Sequence, residues 1–124
     1  MKVRRWLPPL LWAGVILFVT SIPGHYVPHE LSPYDKAAHF AMYGFFAVLL
    51  TREIVQVTGR WRAAIMALAI AVTFGAADEL HQRFIPGRSS ELADWRADSV
   101  GAAGGALLFA LYSRFRRSRT TPTK

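Results

Sequence analysis

The chain has 124 residues, 52% of them hydrophobic, no cysteine and a formal net charge of +7. That length allows one domain, and the lack of cysteine excludes a disulfide framework, a thiolate metal site and a thiol nucleophile. The hydrophobic residues are gathered into runs, which points to a membrane, and no nucleic-acid-binding motif accompanies the positive charge.

A basic start, Met1–Arg5, precedes Trp6–Gly24, which is 19 residues without a charge. That is close to the roughly 20 residues that span a bilayer. A secretory signal peptide is the alternative. Thr20-Ser21-Ile22-Pro23-Gly24 lacks a small-x-small cleavage site, so an uncleaved first helix is expected. Pro8 and Pro9 suit its first turn, where a missing N–H costs little. His25–Lys36 reads as a polar loop broken by Pro28 and Pro33. Three more apolar runs follow, Ala37–Thr51, Ala63–Ala77 and Ser99–Ser113, each 15 residues between flanking charges. At about 1.5 Å per residue this is roughly 22 Å, short of the ≈ 30 Å hydrocarbon layer. The helices must therefore continue into the polar residues at their ends. His39, Asp78, Glu79 and Asp98 then lie near or just inside the membrane boundary, where an unpaired charge is expensive. The expected fold is all-α: a four-helix transmembrane bundle over residues 1–113, with helices at about 6–24, 35–52, 62–83 and 90–114. Residues 114–124 read as a basic cytoplasmic tail without fixed structure.

Charge placement orients the bundle. With the N-terminus inside and four alternating spans, the inner side carries Lys2, Arg4, Arg5, Arg52, Arg60, Arg62, Arg114, Arg116, Arg117, Arg119 and Lys124. Those are 11 of the 15 basic residues, against the single acid Glu53. The outer side carries Lys36, Arg83, Arg88 and Arg96, the other seven acids and all four histidines. The positive-inside rule therefore selects N-in, C-in. It also accounts for the net charge without nucleic acid, since inner basic residues can meet anionic headgroups.

The unusual chemistry gathers on the outer side, above all in Glu79–Gly101. Pro86-Gly87 reads as a turn between two helices. Gly75, Glu79 and Gln82 share one helical face, and Asp94, Asp98, Gly101, Gly105 and Leu108 share another. Ala67, Ala71, Gly75 and Glu79 form a small-residue row that turns Glu79 into the bundle, and Gly101 and Gly105 admit a neighbouring helix. Asp35, His39 and Tyr43 are spaced i, i+4. Asp35 can orient His39 as a general base or metal ligand, or act only as a helix-start charge. Glu79 reads as a raised-pKa acid or ligand, or as a salt-bridge partner of Arg88 or Lys36. Arg88, at a turn before a helix start, reads as an anion clamp or as the neutralising partner of Glu79 and Asp94. Asp94 and Asp98, with His39 or Glu79, could hold a cation. Neither HExxH nor EF-hand spacing is present, so no metal site and no cofactor is predicted. Trp6, Trp61, Trp95, Tyr26, Tyr34 and Tyr112 lie near helix ends and read as an interfacial belt. Nucleophile elbow, Walker loop and dinucleotide fingerprint are all missing from the sequence.

Taken together, Ser21-Ile22-Pro23-Gly24, Asp35-Lys36, His39-Phe40, Tyr43 and the set Glu79, Gln82, Phe84, Pro86, Arg88, Asp94 and Gly101 resemble the VanZ-like family. The likeness covers most of residues 20–108. Where many members have Asn between the last Asp and Gly, this chain has Asp98, which adds a negative charge. Thr20 stands where a second Ser is frequent. The resemblance implies a polytopic protein of the bacterial cytoplasmic membrane, in a family named for a member linked to teicoplanin resistance.

Three functions follow as expectations. In the first, an outer site of Asp35, Lys36, His39, Tyr43, Glu79, Gln82, Arg88, Asp94 and Asp98 binds an anionic envelope lipid or lipid-linked envelope precursor, with a link to glycopeptide resistance. In the second, a membrane enzyme acts on a lipid-linked phosphorylated substrate, with His39, Glu79 and Asp94 as catalytic candidates. In the third, the polar residues form a structural network. Expected partners are membrane lipids and such a precursor, not nucleic acid.

Overall fold

The structure is a computed structural model and describes residues 2–119. It is all-helical, with no strand among the described residues. Helix α1 is Leu7–Thr20, α2 is Asp35–Ile54, α3 is Arg60–Gln82 and α4 is Leu92–Arg119. Short 3-10 turns precede α1 at Lys2–Trp6 and fill the first connection at Gly24–Tyr26 and His29–Tyr34. The first helix thus ends at Thr20, four residues before its expected limit, because Ser21 to Gly24 leave the helix ahead of a second turn. The last helix runs past 114 to Arg119, so the basic segment continues α4. The rest of the expected tail, 120–124, lies outside the described residues.

Among the described residues, two stretches are long and apolar enough to cross a membrane, Val3–Thr20 and Arg60–Gln82. With 23 residues, α3 is about 34 Å long at 1.5 Å per residue. It reaches that length by taking Asp78, Glu79 and Gln82 into its last turns.

The side chains are distributed the opposite way from a water-soluble bundle. The buried core is rich in alanine: Ala47, Ala63, Ala67, Ala71, Ala102, Ala106 and Ala110. Large apolar residues such as Leu11, Phe18, Ile65, Leu108 and Phe115 are exposed. In water that arrangement would leave most of the apolar area unburied. In lipid it is favourable, because small residues let helices approach while large ones meet the acyl chains.

Helices α2, α3 and α4 form a packed core, and α1 flanks α2 with a lighter contact on α3. The α2–α4 pair is the closest. A Cβ at Gly105 would collide with the carbonyl of Gly44, and one at Gly101 with that of Phe40. Only Pro9, Ile16 and Thr20 of α1 are buried. One of its anchors is the Trp12 indole, which donates to the Met42 carbonyl at 2.9 Å. The end of α1, the start of α2, the end of α3 and the start of α4 meet at one end of the bundle.

Candidate functional site

The α3–α4 connection turns at Gly87, whose φ of 74° is the left-handed value that glycine tolerates. The turn is docked on the first connection, where Gly24 N–H donates to the Pro86 carbonyl at 2.9 Å. Arg88 completes that dock. Its Nε donates to the Ile22 carbonyl at 2.9 Å and its Nη2 to the Val19 carbonyl at 3.1 Å. The fork thus caps the carbonyl end of α1. Among the described residues it forms no ion pair with Glu79 or Asp94, the second of the two roles its sequence position offered. The physical reason is reach: the turn carries Arg88 over α1, away from the α3–α4 seam.

Beneath this dock lies a buried polar layer. His39, Asp78, Glu79, Gln82, Asp94 and Asp98 are all buried. Each carboxylate is compensated differently. Asp78 accepts from the Thr20 hydroxyl at 2.7 Å and from the Tyr43 hydroxyl at 3.1 Å. Asp94 accepts from Lys36 Nζ at 3.2 Å. Lys36, which also reaches Glu91 at 3.4 Å, stands ahead of the apolar run of α2. Its hydrogen bond to Asp94, then the Asp94 and Glu91 charges, hold its ammonium above the usual lysine range. Glu79 accepts long hydrogen bonds from Gln82 Nε2 at 3.3 Å and the Ser90 hydroxyl at 3.4 Å, and the Glu91 backbone also reaches it.

His39 and Asp98 make a close pair, with Nδ1 2.7 Å from Asp98 Oδ1. Asp98, not Asp35, orients the imidazole. Asp35 stands 3.9 Å from the other ring nitrogen, Nε2, beyond hydrogen-bond distance. The i, i+4 spacing places Asp35 on the right face, but its half-exposed side chain does not close on the ring. The second oxygen of Asp98 is buried without a partner among the described residues. It lies in the room left by Gly75, where a Cβ would come within 3.3 Å of it.

A cavity of about 580 Å³ opens over this layer. Its wall combines Val19, Ile22, Tyr26 and Leu31 with the polar Asp35, Lys36, Gln82, Arg88, Glu91 and Asp94. Of the residues singled out from the sequence, Asp35, Lys36, Gln82, Arg88 and Asp94 line the cavity. His39, Tyr43, Glu79 and Asp98 lie in the buried layer. Sequence reasoning assigns no role to Thr20 or Ser90. Thr20 meets Asp78 across 58 positions, and nothing in its neighbours announces that contact. Trp95 is less a belt residue than expected, since its indole donates inward to the Val72 carbonyl at 3.1 Å.

No curated protein sequence and no solved structure matches the chain. A family model described as VanZ/LLP1 matches residues 6–113. That stretch holds α1 to α3, most of α4, the polar layer and the whole cavity wall. It covers far more than half of the chain. Together with the two apolar helices it points to a membrane protein, and the chain belongs to the VanZ/LLP1 family.

Proposed function

We propose that this is a multi-pass protein of the bacterial cytoplasmic membrane, N-in and C-in, whose outer cavity binds the headgroup of an anionic envelope lipid or lipid-linked envelope precursor. The observation that carries the reading is the mixed wall of the cavity. An apolar side made by Val19, Ile22 and Leu31 faces the cations Lys36 and Arg88, as an amphiphile with a charged head requires. The alanine-lined core with large residues outward supports a lipid surround. A tie to glycopeptide antibiotic resistance, the property behind the family's name, would be exerted through that envelope ligand.

Lys36 is the cation to test, because it is exposed at the cavity rim while Arg88 also holds α1. Native mass spectrometry of protein released from mild detergent would compare phosphatidylglycerol with phosphatidylcholine. We expect selective retention of the anionic lipid. Lys36→Ala should lose about 1.5 kcal/mol of charge-assisted hydrogen bonding, about a tenfold drop in occupancy. Equal retention of both lipids, or an unchanged Lys36→Ala protein, would overturn the reading.

A second reading has one specific observation in its favour. Asp98 holds His39 through Nδ1 and leaves Nε2 free, the arrangement of an oriented general base. Glu79 lies close by, with a carboxylate oxygen within 4.8 Å of a His39 ring nitrogen. A membrane enzyme acting on a lipid-linked phosphorylated substrate would use that pair. Arg88 is then a weaker phosphate clamp than the sequence implied, since its fork already serves two backbone carbonyls.

A further inference from the structure

We propose that Asp35, His39 and Asp94 form a divalent-cation site at the base of the cavity. This goes beyond the headgroup reading and does not depend on it. One ligand atom from each of the three lies within 4.8 Å of the others. That is the spread that three ligands of one ion, each at about 2.0–2.2 Å from the metal, can close with small side-chain shifts. The residues come from two helices and a span of 59 positions, so no sequence motif announces them.

The chemistry of the set is specific. His39 is only 5% exposed, yet Nε2 makes no hydrogen bond among the described residues and faces Asp35 at 3.9 Å. An imidazole nitrogen beside a carboxylate but beyond hydrogen-bond distance, on a ring held through its other nitrogen, is positioned to accept a metal ion. The opposite nitrogen is already held by Asp98 at 2.7 Å. That is the outer carboxylate that fixes ring orientation and raises basicity in metal-bound histidines. Asp35 and Asp94 both line the cavity, so the remaining coordination positions open toward a ligand. One imidazole with two carboxylates suits Mn²⁺, Fe²⁺, Co²⁺ or Zn²⁺ better than the all-oxygen preference of Mg²⁺ or Ca²⁺. Lys36 now sits on Asp94. Its side chain is 55% exposed, so it can swing away.

The alternative ligand set is His39, Glu79 and Asp98, also within 4.8 Å. An ion there would draw on Asp98, the hydrogen-bond partner of the ring, and none of its three ligands lines the cavity. The outer set keeps that bond, and we assign the ion to it.

The test uses the full chain in mild detergent, stripped with chelator and free of added lipid. Zn²⁺ binding is followed by calorimetry and Co²⁺ binding by visible absorption. We expect one equivalent of tight binding. Asp35→Asn, at a half-exposed position that should not disturb folding, should weaken it at least tenfold. Asp98→Asn, acting through ring orientation, should weaken it about 10–100-fold. Glu79→Gln and a His25→Gln/His29→Gln double variant should bind as the wild type does. Lys36→Ala should bind the metal undiminished while losing anionic lipid, which separates failure of this proposal from failure of the headgroup reading. No binding by the wild type would overturn the proposal. So would an unaffected Asp35→Asn, or loss through Glu79→Gln or the exposed histidines.

Discussion

At Asp98 a carboxylate with no solvent contact is compensated on one oxygen only, by His39 at 2.7 Å. Removing one member of a buried pair leaves the other uncompensated, which typically costs about 3–5 kcal/mol. Asp98→Ala should therefore lose about 3 kcal/mol, read as a lowered unfolding midpoint by tryptophan fluorescence in detergent. Asp98→Asn keeps an acceptor for Nδ1–H and should lose less than half as much. If Asp98→Ala melts with the wild type, the pair positions nothing and the case for an oriented His39 falls. Thr20 and Tyr43 serve Asp78 in the same way, by donating two hydroxyls to a buried acid. These residue-scale facts were only partly legible. The ionisable residues announce themselves at the ends of apolar runs, but spacing along one helix cannot say which neighbour closes on which.

The helices are held by small residues more than by a large apolar core. Gly101 and Gly105 lie against the backbone of α2, whereas nothing lies within 4 Å of a Cβ at Gly104. Three glycines in one helix thus have opposite requirements. Gly105→Ala must push α2 away and should cost about 1–3 kcal/mol, as overpacking does. Gly104→Ala should be neutral or stabilise by up to about 1 kcal/mol through helix propensity. Thermal unfolding of the two variants side by side checks this. Equal behaviour would mean that α2 and α4 are not in close contact. The stripe of Gly101 and Gly105 was visible in the sequence. That its partner is α2 was not, because α3 is the neighbour in sequence. The helix ends moved for local reasons. Arg114 to Arg119 carry no proline or glycine, so nothing stops α4 there.

For the whole molecule, a core of alanine and an apolar exterior imply lipid around the bundle, and the charge count implies its direction. The absence of cysteine makes the direction easy to test, since one introduced thiol is the only label site. Tyr26 and Val57 are both exposed, in connections at opposite ends of the bundle. With the N-terminus inside, Tyr26→Cys should react with an impermeant maleimide on intact cells. Val57→Cys should react only after permeabilisation. The reverse pattern would invert the bundle and place the cavity on the inner side.

The sequence alone determined that the chain is helical, that its helices are apolar, and that its histidines and all its acids but Glu53 gather at one end. Those properties depend on composition and periodicity along the chain, which need no partner. Only the tertiary structure decided that Asp98 holds His39, that Arg88 caps α1, and that Asp35 and Asp94 come together with His39 beside a cavity. Such pairings depend on which helix lies beside which and at what rotation. These follow from close packing at Gly101, Gly105 and Gly75, where a single absent Cβ sets the distance between distant stretches of chain.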